Sequence, residues 1–98
     1  MPFAIQVAPR AKEHLTALRK RDQQIIADAM RVQLAKYPDR VTRNRKRLED
    51  NPLAPWELRV GRFHVFYDID LDKQQVVVVA VGEKIHNVLR IGDEEIQL

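Results

Sequence analysis

A carboxylate, a guanidinium and an imidazole stand close together in one short stretch of this chain, at Glu57, Arg59 and His64. Imidazole titrates nearest neutrality, a carboxylate takes or orients a proton, and a guanidinium offers an anion a planar fork. The set suits proton transfer beside a bound anion. Whether the three groups meet depends on the strands that carry them. Trp56, Leu58 and Val60 alternate with Glu57 and Arg59, the period of two expected of a half-buried strand. Gly61-Arg62 then reads as a two-residue hairpin turn with glycine first. On the return strand Phe63, Val65, Tyr67 and Ile69 share one face, and His64, Phe66 and Asp68 the other. With the apolar faces turned to a common core, Glu57, Arg59 and His64 are expected to emerge together on the opposite, open side.

The elements that would position this hairpin follow from the same patterning. Phe3 to Ala8 alternates as a first strand, and Pro9 suits the first turn of a helix continued by Ala11, Leu15 and Leu18. Asp22 is the expected N-cap of a second helix, with Ile26, Met30, Leu34 and Tyr37 as its buried stripe and Pro38 as its end. Pro38 to Pro55 reads as a long connection without strand or helix. Asp70-Leu71-Asp72-Lys73 is a polar turn. The valine run from Gln75 to Val81 reads as a central strand covered on both faces and ended by Gly82. Glu83 to Leu98 fits either a short helix over Lys84–Leu89 or, preferably, a hairpin turning near Gly92-Asp93. The result is an α+β domain in β-α-α-β-β-β order. A helical hairpin packs on one face of a mainly antiparallel four-stranded sheet, a short C-terminal element follows, and the other face is left for a ligand.

Composition sets outer limits. Ninety-eight residues suit one domain, and 45% hydrophobic content with no long apolar run speaks against a membrane span. The absence of cysteine removes disulfide and thiol chemistry and suits a reducing cytoplasm, and no secretory leader is apparent at Met1-Pro2-Phe3. Three scattered histidines make no metal-ligand spacing, and glycines only at 61, 82 and 92 make no phosphate-cradling loop. No metal or small-molecule cofactor is expected. The net charge is +3, but Arg40, Arg43, Arg45, Lys46 and Arg47 cluster without an acidic neighbour between them. Such a segment points to a polyanion or an acidic partner protein.

Trp56-Glu57-Leu58-Arg59-Val60-Gly61 running to Tyr67, Val79-Ala80-Val81-Gly82-Glu83-Lys84, and Asn44-Arg45-Lys46-Arg47-Leu48 with Asn51-Pro52-Leu53-Ala54-Pro55 carry a family likeness over nearly the whole chain. The chain resembles the RelE/ParE superfamily, toxins of bacterial type II toxin–antitoxin pairs, and most closely a RelE-like branch. That resemblance implies a cytoplasmic toxin silenced by a cognate antitoxin, and its nuclease members cut mRNA on the ribosome without metal. Carried across, it assigns the working positions to Glu57, Arg59, His64 and Lys84. Glu57 reverses a charge that is basic in RelE itself, His64 replaces an arginine, and Arg90 stands near a tyrosine position. Some nuclease relatives use a glutamate, an arginine and a histidine instead. In that reading Glu57 or His64 is the base, Arg59 and Lys84 hold the phosphate, and Arg43, Arg45, Lys46, Arg47, Arg62 and Arg90 contact RNA. The rival implied by the same superfamily is a gyrase-inhibiting toxin that cuts no RNA. A third reading is a degenerate member that binds its antitoxin without toxicity.

Overall fold

The computed structural model describes residues 3–48, 54–86, 88–91 and 94–97, the last four as backbone only. Strand β1 (Ala4–Val7) leads into helices α1 (Pro9–Thr16) and α2 (Lys20–Leu34). The strands β2 (Arg45–Arg47), β3 (Trp56–Val60), β4 (Phe63–Asp70), β5 (Gln75–Ile85), β6 (Val88–Ile91) and β7 (Glu94–Gln97) follow. They hydrogen-bond in the order β2-β3-β4-β5-β6-β7, every neighbouring pair antiparallel. β1 adds to β5 in parallel, so the described sheet has seven strands rather than four. The α+β class and the helical hairpin on a sheet are as expected.

The alternation read from the hairpin decides which face meets the helices. Trp56, Leu58, Phe63, Val65 and Tyr67 pack with Ala11, Ile26, Met30, Leu34, Val76, Val78 and Val81 in one core beneath the helices. Trp56 stacks on Tyr67 at 6.1 Å between ring centres, and the Tyr67 hydroxyl donates to the Pro38 carbonyl at 2.7 Å, pinning the chain that leaves α2. Burial pushes the Tyr67 phenol pKa up, so it stays a donor. The turn between β3 and β4 has a positive φ at Gly61 alone, +59°, as a glycine-first type II′ turn requires.

Several local expectations are corrected. α2 starts at Lys20 with Arg19 at its N-cap, and Asp22 sits inside the first turn, drawn to Arg62 at 3.4 Å. Tyr37 lies beyond the end of α2 at Leu34, where the helical period no longer turns it inward. It is 53% exposed, with the Arg40 guanidinium 4.2 Å from its ring centre. Part of the supposed loop is strand β2, because Arg45 anchors it: its Nη1 donates to the carbonyls of Gln33 and, at 2.8 Å, Tyr37, filling acceptors at the end of α2. β5 does not stop at Gly82 but runs on to Ile85. The C-terminal helix over Lys84–Leu89 does not form, and the hairpin alternative holds as β6 and β7, with Gly92 and Asp93 outside the described residues.

Candidate functional site

Strand pairing places Lys46 opposite Glu57, Glu57 opposite Phe66, Arg59 opposite His64, and His64 opposite Gly82. Cross-strand partners share a face, so Lys46, Glu57, Arg59, His64 and Phe66 lie on the side away from the helices. A break in register between Phe66 and Tyr67 leaves Val79 without a partner on β4, a β-bulge. Past it, Ala80, Gly82 and Lys84 join that same face. The structure thus brings Glu57, Arg59, His64 and Lys84 to one side of the sheet, with Lys46 as a neighbour that sequence reasoning had grouped only with the basic cluster.

The pair at the centre is joined, but it is not open. His64 Nδ1 lies 2.7 Å from Glu57 Oε1. Because the partner is a carboxylate, Nδ1 carries the proton and donates, leaving Nε2 as the ring nitrogen for further exchange. Glu57 is 7% exposed and His64 5%, whereas Arg59 and Lys46 are exposed and Lys84 is half-buried. Burial pushes the Glu57 carboxyl pKa up. The hydrogen bond and charge of His64, aided by Lys46 and Arg59, outweigh it and hold the pKa below the ordinary 4.5. The expectation that this face lies free for a ligand therefore fails at Glu57 and His64 and holds at Lys46 and Arg59. A second, smaller apolar cluster of Ala54, Phe66, Ala80, Leu89 and Ile91 occupies part of it, with Leu48 and Val79 alongside, and the His64 ring stacks on Phe66 at 6.4 Å.

The six cations expected to contact RNA are dispersed. Arg43, Lys46 and Arg47 are exposed around the β2 edge, and Arg47 lies 5.8 Å from the Trp56 ring centre. Arg45 is held by the end of α2. Arg62, in the β3–β4 turn, is ion-paired with Glu83 and Asp22, and its carbonyl accepts the Lys84 amide at 2.8 Å. Arg90 sits opposite Glu83 on β6. His14, which the sequence left without a role, accepts the Val81 amide through Nδ1 at 3.2 Å. It fills the edge of β5 between the end of its β1 ladder and the start of its β6 ladder. Nothing in the local sequence signals that contact. Among the described residues no three His, Cys, Asp or Glu side chains cluster as metal ligands, and no helix is long and apolar enough to cross a membrane.

Two helices over one face of this mixed sheet define the RelE/ParE toxin fold. The crystal structure of the toxin–antitoxin complex RelBE2 from Mycobacterium tuberculosis shares it, with a TM-score of 0.74 and 21% identity over 86% of this chain and 100% of that one. The family model for the ParE toxin of type II toxin–antitoxin systems (parDE) matches residues 5–84, and the chain belongs to that family. No curated protein sequence matches it. The protein is accordingly a RelE/ParE superfamily toxin of a type II toxin–antitoxin system.

Proposed function

We propose that this toxin blocks translation by cutting mRNA on the ribosome, with the Glu57–His64 pair as its proton-transfer centre and a cognate antitoxin as its inhibitor. The observation that carries this reading is the 2.7 Å carboxylate–imidazole contact set among Lys46, Arg59 and Lys84 on one sheet face. Glu57 holds Nδ1 and fixes the ring, so Nε2 accepts the proton of a ribose 2′-hydroxyl. The 2′-oxygen attacks phosphorus, the bond to the 5′-oxygen breaks, and a 2′,3′-cyclic phosphate remains. Arg59 and Lys84 steady the charge that builds on the phosphate oxygens, and protonated His64 returns a proton to the leaving oxygen. The antitoxin covers this face with acidic residues against Lys46 and Arg59.

A second reading, a gyrase-directed toxin without nuclease activity, is favoured by the burial of both Glu57 and His64, since a buried pair also serves as structure alone. Induction of the toxin followed by mapping of RNA ends separates the two. Cuts inside translated messages, lost in Arg59→Ala while the variant stays folded, support RNA cleavage. Intact messages with accumulating DNA breaks would refute it.

A further inference from the structure

On the second face of the sheet two side chains of one short strand sit against Gly82. A Cβ placed on Gly82 would meet Ile91 Cγ1 at 2.8 Å, the Arg90 carbonyl oxygen at 3.0 Å and Leu89 Cδ1 at 3.0 Å. Gly82 has no positive φ, so glycine is needed there for space, not for backbone conformation. The side chains that take that space belong to β6, and Gly82 is the cross-strand partner of His64. Leu89 and Ile91 are each 1% exposed, and they belong to the small cluster around Phe66, apart from the core under the helices. Apart from that seat, β6 is tied to β5 by three residue pairs, Glu83–Arg90, Lys84–Leu89 and Ile85–Val88.

We propose that β6 is a movable cover over the Glu57–His64 pair, with Leu89 and Ile91 as positioning residues seated on Gly82, and that His64 meets substrate only when β6 lifts. The substrate clause rests on the RNA-cleavage reading; the cover itself does not. A 2′-hydroxyl has to come within about 3 Å of Nε2 to give up its proton. With the imidazole side chain 6% exposed, the closed arrangement denies that approach. With β7 paired along it at four positions, β6 would move as part of a two-stranded flap held to β5 by three residue pairs and a small apolar seat, and local openings fall where few buried contacts hold a segment.

Carbethoxylation of the three histidines by diethyl pyrocarbonate, followed residue by residue by mass spectrometry at one pH, tests the cover without any RNA. In the wild type His64 reacts roughly tenfold or more slowly than exposed His86, as expected when reaction waits on a local opening. Gly82→Ala, which pushes on the seat, and Ile91→Ala, which weakens it, each speed His64 by more than the variant's loss of unfolding free energy accounts for; Ile91→Val restores protection. Urea unfolding of each variant reports global loosening separately. The cover is overturned if wild-type His64 reacts as fast as His86, if neither variant changes its rate, or if His64 accelerates by no more than the loss of unfolding free energy predicts. Failure of the RNA-cleavage reading is separate: protected His64 released by both variants, with no cuts in messages, keeps the cover and removes the nuclease.

Discussion

The two faces of one sheet are built to different rules. Under the helices, residues from both helices and four strands interlock in a continuous apolar core, with Leu58, Val65, Tyr67, Val76 and Val78 fully buried. On the other side a handful of apolar side chains forms a smaller cluster on the face that carries a buried, hydrogen-bonded Glu57–His64 pair. The first arrangement gains from every methylene taken out of water, whereas the second gives up part of that gain to desolvate a carboxylate. The difference separates the face that holds the fold together from the face on which the proposed proton-transfer pair lies.

Truncation should widen the contrast most. Leu58→Ala is expected to lower unfolding free energy by about 3–4 kcal/mol, and Leu89→Ala by roughly half as much, because the smaller cluster can collapse around the gap. Equal losses in urea titrations would erase the distinction. Next in size, Glu57→Gln keeps the shape but removes the charge that His64 faces, at an expected cost of about 2 kcal/mol in the same titration. Acid tests that pair from another side. The folded Glu57 pKa is held below 4.5, so its contribution is present above that value and is lost as pH falls from 4.5 through the folded value. Wild type should therefore lose its margin over Glu57→Gln only in that acid range, and a margin unchanged there would contradict the assignment. On the helix side Tyr67→Phe leaves the Pro38 carbonyl without its donor, for about 1 kcal/mol by thermal or urea unfolding. The smallest effect belongs to exposed Arg59→Ala, within about 0.5 kcal/mol of wild type, so any loss of toxicity in that variant reports function and not folding.

Much of the helix-side face was legible from residue order. Period-two alternation through Trp56–Val60 and Phe63–Ile69, the glycine of the turn and the stripe Ile26, Met30 and Leu34 each depend on near neighbours, and each came out as read. The site was only half legible. Which face Glu57, Arg59 and His64 share followed from alternation, but the burial of Glu57 and His64 did not, because it depends on packing between parts of the chain distant in sequence. Likewise Arg45 looked like one more cation in a basic run until its distance in space from the end of α2 was known.

What this sequence determines alone is therefore the set of local periods: two helices, a tight hairpin, a valine-rich central strand, and a carboxylate, guanidinium and imidazole in phase with one another. Tertiary structure decided the rest. One unpaired residue, Val79, turned Gly82 and Lys84 to the side of His64, and an unbroken run of valines carries no mark of where such an insertion falls. The packing of Leu89 and Ile91 against β5 was likewise settled at long range, by the space that a missing side chain left for them.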